Sequence, residues 1–267
     1  MTLKNLRELL ARYLPQDGRP VVAYSGLFAI ARALPVESRA LPSALLDVLL
    51  DAVGARRTLL MPTYTNGYRD GFLDLDTEPG NTGMINETLR RKGGTWRTAS
   101  AFWSFAARGP EAGTLGTLRP RDAWGEGSLF EWIQTTNAHV LALGVPWCMC
   151  SFLHRAEWLA QVPYRYLKEF SGTISLRGRR EPLRERLFVR SLEPKAQNVW
   201  PRLDDLLATH GMQRVALGRG QVAEIGAQNL IQAVLSALQR DPLAFVRDPE
   251  TLRIHFFPET ARTPHGH

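Results

Sequence analysis

Hydrophobic side chains recur every three to four positions across residues 3–14, where Leu6, Leu9, Leu10, Tyr13 and Leu14 share one face. That period predicts an amphipathic helix, ended by Pro15 and Gly18. The pattern then shortens to unbroken apolar runs at 21–25 and 58–62, the length of buried strands, with a helical stretch at 42–53 between them stopped by Gly54. Alternation of helix and buried strand implies parallel pairing in layers. A helix closing at Arg91, capped by Asn81 or Thr82 and followed by Gly93 and Gly94, comes next. Residues 98–107 read as a strand, 129–135 as a helix and 139–145 as another apolar strand. Beyond these, 170–189 reads as antiparallel strands around a turn at Gly178, 203–209 and 228–239 as helices, 251–257 as an edge strand and 264–267 as a loose tail. The expected fold is α/β: a layered α/β/α sandwich with a central mixed, mostly parallel sheet and a small antiparallel subdomain. A single domain over residues 1–260 is expected, with 261–267 outside it.

The strand at 139–145 runs through Gly144, Val145 and Pro146 into a helical stretch carrying His154 and Glu157. Ligands in α/β proteins gather outside the carboxyl ends of strands. Residues three apart are neighbours on a helix, so Glu157 can orient the His154 imidazole. A histidine held in that way is a candidate general base, worth about 10²–10⁴-fold in rate. The competing reading is that His154 pads the helix while Glu157 pairs with Arg155 or water, and spacing alone does not separate the two.

Composition narrows the field. The chain has 267 residues, 44% hydrophobic and 22% charged, enough for a full core. No apolar run approaches the roughly 20 residues of a membrane span, and the first helix lacks the continuous apolar segment of a secretory signal, so a cytoplasmic protein is expected. Cys148 and Cys150 stand too close for an ordinary disulfide and lack a second ligand pair, so no metal is expected. Walker, Gly-x-Gly-x-x-Gly and Gly-x-Ser-x-Gly elements are absent, which removes the usual signatures of kinases, dinucleotide enzymes and serine hydrolases. Lysine and arginine outnumber acidic residues by 33 to 26, giving +7. Such a field favours anionic partners over polycations. Arg177, Arg179, Arg180, Arg184, Arg186 and Arg190 cluster around Gly178, either as a solvated face or as a clamp for an anion. Phe102, Trp103 and Phe105 read as core.

Several segments in order resemble the aminoglycoside 3-N-acetyltransferase family: 21–27, 54–65 (GARRTLLMPTYT), 79–91 (PGNTGMINETLRR), 104–110 (SFAARGP), 125–130 (GEGSLF), 140–146 and 152–157 (FLHRAE), with Tyr164-Arg165 after them. The resemblance implies transfer of an acetyl group from acetyl-CoA to an amine on a small molecule. It makes His154 the general base and points to Glu193, in the 191–194 segment, as an acidic partner beside Glu157. It places Ser25, Gly26, Leu27, Thr63, Thr65, Thr82 and Gly83 near the coenzyme, and Tyr64, Trp103 and Ser104 near the acceptor.

The chain also departs from the family pattern. Tyr24-Ser25-Gly26-Leu27 stands where the family usually has His-Ser-Ser-Leu, and Ala101-Phe102-Trp103-Ser104 where it has Pro-Thr-His-Ser. These changes make the pocket more apolar. With the basic balance, they point to an amine on an anionic or sugar-linked metabolite, its anion held by Arg177 and Arg179. The alternative from another class is a family scaffold that binds or assembles without transferring acetyl groups. A nucleic-acid role has only net charge behind it, so no such partner is expected. A homodimer is compatible with either reading.

Overall fold

The computed structural model describes residues 2–257 except 32, 35 and 69. The first helix, α1 (Leu3–Tyr13), starts at Thr2, whose hydroxyl accepts the Asn5 N–H while the Asn5 side chain accepts the Thr2 N–H. The chain continues through β1 (Val21–Ser25), α2 (Leu27–Ala31), α3 (Leu41–Val53), β2 (Leu59–Pro62), β3 (Phe72–Asp74) and α4 (Met84–Arg91). Next come β4 (Trp96–Arg97), β5 (Phe105–Arg108), α5 (Ala112–Gly116), α6 (Leu129–Thr135) and β6 (His139–Leu143). A single 3-10 turn, Trp147–Met149, leads into α7 (Leu153–Ala160) and the long hairpin of β7 (Arg165–Leu176) and β8 (Arg179–Arg190). The chain closes with α8 (Leu203–Ala208), β9 (Gln213–Leu217), β10 (Gly220–Gly226), α9 (Ala227–Arg240) and α10 (Pro249–Phe256).

Seven strands form the main sheet in the order β4-β5-β2-β1-β6-β10-β9. The sheet is mixed, as expected, but parallel pairing is confined to its centre, where β1 lies between β2 and β6. Every outer pairing is antiparallel. At the β9 edge the cause is a short hairpin, since strands joined by a tight turn can only run antiparallel. Gly218 and Arg219 alone separate β9 from β10.

One face of the sheet is covered by α1, α3 and α4, which bury Leu10, Leu45, Leu49 and Leu89. The other is covered by α6, α7 and α9, which bury Phe130, Ile133, Leu153, Leu230 and Val234. A second sheet, β3-β7-β8, packs Leu73, Ile174 and Leu183 over a smaller cluster with Ala101. Its β7–β8 ladder is antiparallel, whereas β3 joins β7 in parallel.

Three local expectations are corrected. Residues 98–107 are not one strand: β4 ends at Arg97 and β5 begins at Phe105, with a loop between them. Residues 251–257 lie mostly in helix α10, because Pro249 fits a helix start and only Leu252 of that turn is buried. Neither Asn81 nor Thr82 caps α4; the Thr82 hydroxyl donates to the Pro62 carbonyl instead. The expected tail at 261–267 lies outside the described residues.

The ends of β1 and β6 meet through two glycines. A Cβ on Gly26 would stand 2.7 Å from Val145 Cγ1 and 2.9 Å from the Gly144 oxygen, and Gly144 itself has φ +75°. Gly26→Ala is therefore expected to destabilise the fold by about 1–3 kcal/mol through overpacking. Thermal unfolding checks this, and an unchanged midpoint would show that the two strand ends can part without cost.

Candidate active site

The helix α7 begins where β6 has just left the sheet, and hydroxyl groups fix its start. Tyr24, near the end of β1, lies 3.0 Å from Ser151 Oγ and accepts the Phe152 N–H at 3.2 Å. The Tyr64 hydroxyl reaches the same Ser151 oxygen from the loop after β2. With its first turn pinned, α7 presents His154 and Glu157 three residues apart, as the spacing predicts.

Glu157 is fully buried and both its oxygens are engaged. Oε1 accepts from Tyr164 at 2.7 Å and from Asn198 Nδ2 at 2.6 Å, while Oε2 lies 2.5 Å from His154 Nδ1 and 3.0 Å from Arg165 Nε. Burial alone would raise its carboxyl, but the charge His154 takes up in acid, the Arg165 charge and the hydrogen bonds from His154 and Tyr164 hold it down at about 2. Arg165 Nη2 also approaches Nδ1, at 3.2 Å, but the 2.5 Å contact with an ionised carboxylate, which only accepts, is the shorter and puts the proton on Nδ1. The lone pair is then on Nε2. Burial lowers the His154 pKa below its ordinary value and the Arg165 charge adds to this, while Glu157 acts in the opposite direction. The imidazole is therefore kept neutral near pH 7, oriented, and able to take a proton.

Three indoles surround that imidazole. The rings of Trp103, Trp124 and Trp200 have centroids 6.0, 6.1 and 6.2 Å from it, and the His154 side chain is 22% exposed. They open onto a cleft of about 550 Å³, also lined by Cys148, Arg165, Phe188, Arg190 and Asn198. A second histidine, His139, belongs to the fold: at the far end of β6 it bridges Glu224 at 2.7 Å and Asp17 at 3.2 Å.

The other expected site residues fall into three groups. Trp103 is brought to His154, and Tyr64 packs behind it with the two rings 4.7 Å apart. Ser25, Thr63, Thr82 and Ser104 meet at the ends of β1 and β2, but their hydroxyls are engaged within the protein. Ser25 donates to Asn86 at 2.6 Å, and Ser104 donates to the Thr63 carbonyl at 2.9 Å. The Thr63 hydroxyl turns to Ser104, and the Thr65 hydroxyl donates to Glu78 at 2.9 Å. Leu27 opens α2, and Gly26 donates its N–H to the Leu143 carbonyl, so that amide is engaged between the two strand ends. Gly83 lines a separate groove of about 490 Å³ beside the start of α4.

The third group lies elsewhere. Glu193 is exposed and outside the hydrogen-bond set around His154; Glu157 supplies the carboxylate there. Arg177 and Arg179 sit at the tip of the β7–β8 hairpin, where Asp76 accepts the backbone N–H groups of Arg177 and Gly178 and the Arg177 guanidinium covers Trp96. Arg165 begins the same strand, so about 12 residues at ~3.3 Å each separate tip from site. The arginines at the cleft are Arg165 and Arg190. Asn198 was not legible from any motif, and Trp124 and Trp200 carried no signal beyond being aromatic.

Residues 32–239 match the model of the aminoglycoside 3-N-acetyltransferases. The chain belongs to that family. Aminoglycoside N(3)-acetyltransferase IV of Salmonella sp is 28% identical over 216 residues, which cover 78% of each chain. Aminoglycoside N(3)-acetyltransferase IX of Micromonospora chalcea is 28% identical over 201 residues, 67% of this chain and 70% of that one. Among solved structures, the apoenzyme of aminoglycoside acetyltransferase AAC(3)-IVa is 25% identical with a TM-score of 0.70, covering 94% of this chain and 93% of the other. As a member of the aminoglycoside 3-N-acetyltransferase family, the chain is an acyltransferase. The family match takes in His154, Glu157, Tyr164, Arg165 and Asn198 and begins after β1 with its Tyr24, Ser25 and following Gly26. Among the described residues no helix is long and apolar enough to cross a membrane, and no three His, Cys, Asp or Glu side chains are grouped to hold a metal ion.

Proposed function

We propose that this acyltransferase moves an acetyl group from acetyl-CoA to an amine on a small, sugar-linked acceptor, with His154 Nε2 as general base. The observation that carries the reading is the contact of ionised, buried Glu157 with His154 Nδ1, which leaves the opposite ring nitrogen free in a cleft. In the step, Nε2 takes a proton from the acceptor nitrogen as that nitrogen attacks the thioester carbonyl carbon. The carbon–sulfur bond then breaks and the coenzyme leaves as a thiolate, to which the imidazolium returns the proton. A solved structure of the same fold, described as AAC-IIIb binary with CoASH, supports the donor. A scaffold without transferase activity has no use for an imidazole held in one tautomer by a buried carboxylate.

The relatives are named for aminoglycosides, yet the lining of this cleft includes Arg165 and Arg190 and neither Asp nor Glu. A polycation bound there would leave its remaining ammonium groups without counter-charges. The acceptor is therefore an amine whose scaffold is neutral or anionic, and the anion falls to Arg190 rather than to the hairpin tip. Calorimetric titration with acetyl-CoA, followed by turnover with gentamicin against amino sugars bearing a carboxylate or phosphate, tests both parts. Micromolar acetyl-CoA binding and preference for an acidic acceptor are expected. Arg190→Glu should raise the KM of the acidic acceptor about tenfold or more, the scale of one charge-assisted hydrogen bond. Efficient gentamicin turnover would overturn the acceptor class, and absence of acetyl-CoA binding would overturn the reaction.

A further inference from the structure

Glu185 is a buried carboxylate that the chemistry above does not use. It lies on β8, opposite Phe170 in the hairpin, and is 3% exposed. Its chain neighbours Arg184 and Arg186 pair with Glu169 and Asp122, so neither reaches it as a counter-ion. Both its oxygens are aimed at the loop between β4 and β5. Oε1 accepts the Ser100 hydroxyl at 2.6 Å and Oε2 accepts the Ala101 N–H at 3.0 Å. Ser100 Oγ in turn accepts the N–H of Trp103 at 2.9 Å. One side chain from the second sheet thus fixes the turn that delivers Trp103 to His154.

Packing does not fix that turn by itself. A small cavity of about 30 Å³ lies against Glu185, lined also by Ser100, Trp103, Leu129 and Phe130, and the buried Trp103 Nε1 has no hydrogen-bond partner. A void beside a bulky ring removes the contacts that would hold it in place. The indole still meets Tyr64 and Trp124 edge-on, with centroids 4.7 and 5.3 Å away, but the backbone that carries it is set by the hydrogen bonds of its loop.

We propose that Glu185 is a positioning residue for the acceptor site, setting the Trp103 wall of the cleft against His154. The proposal builds on the acyl-transfer reading, and on the acceptor entering the cleft that Trp103 lines. Burial pushes the Glu185 carboxyl up to about 7, with the bonds from Ser100 and Ala101 acting in the other direction, so a neutral amide is a close stand-in for it. Glu185→Gln keeps the shape and an acceptor oxygen; Glu185→Ala keeps neither.

The test uses the full chain labelled with 5-fluorotryptophan, the Trp103 resonance being assigned by its loss in Trp103→Phe. In Glu185→Ala the Trp103 fluorine resonance is expected to move, the acceptor KM to rise about tenfold or more, and kcat and the acetyl-CoA Kd to stay near wild type. Glu185→Gln should stay close to wild type in all four. In a Trp103→Phe background, Glu185→Ala should add little to the KM, because both changes act on one wall. An unmoved resonance, or KM effects of the two substitutions that simply multiply, would overturn the proposal. Failure of the wild-type protein to bind acetyl-CoA would instead count against the acyl-transfer reading, since the fluorine shift reports the link from Glu185 to Trp103 without turnover.

Discussion

His154→Ala is expected to lower kcat by about 10²–10⁴-fold while acetyl-CoA binds as in the wild type. The loss falls on kcat because the proton moves only in the transition state, whereas Nε2 is not needed to hold the coenzyme. The pH profile adds a sharper check. Burial, aided by the Arg165 charge, places the His154 pKa below its ordinary value of 6.5. A base works only when unprotonated, so kcat/KM should show a limb with a midpoint below pH 6.5, apart from the higher limb set by the acceptor's own ammonium group. In His154→Gln the lower limb should vanish and the acceptor's limb remain. Absence of a limb below 6.5 in the wild type, or its survival in the variant, would remove His154 from the role of base.

Glu157→Gln is expected to harm both activity and stability. The amide can donate to His154 Nδ1, which favours the tautomer with hydrogen on Nε2 and so removes the lone pair that the reaction needs; a fall in kcat of about 10²–10⁴-fold follows. The same change leaves Arg165, whose side chain is 7% exposed, without its anion. Breaking a buried ion pair from one side costs about 3–5 kcal/mol, read as a lower thermal midpoint. The sign with pH is fixed by the depressed carboxyl. Its contribution is complete above the ordinary carboxylate range and is lost as pH falls towards about 2. Wild type and variant should therefore converge in stability in acid. Curves that stay parallel down to pH 3 would mean that the Glu157 charge does not hold the fold.

Segments with a strong period were readable without the structure: the faces of α1 and α9 and the short buried runs of β1, β2 and β6 needed no tertiary context. The His154–Glu157 pair was legible for the same reason, since three-residue spacing on a helix is a local fact. Residues 98–107 misled because their side chains are mostly apolar, while the turn within them is held by Glu185, more than eighty positions away. Residues 213–226 were passed over as strands, although Gly218 and Gly220 mark the hairpin between β9 and β10. In 251–257 the alternation of Leu252, Ile254 and Phe256 imitates a strand, yet only Leu252 is buried. Arg177 and Arg179 looked like an anion clamp because charge is visible in a sequence and the length of a hairpin is not. Asn198 reaches Glu157 from an irregular segment whose path no period encodes.

The groups that set the state of His154 all come from one stretch, running from Glu157 through Tyr164 and Arg165 to Asn198. Two of the three indoles around it, Trp103 and Trp124, come from upstream. A genetic crossover between relatives near residue 150 would therefore pass on the proton-handling half intact while exchanging part of the surface that meets the acceptor. Recombination within such a lineage can change the acceptor wall in one event, provided the incoming half keeps the Tyr24 and Tyr64 hydroxyls that pin the start of α7.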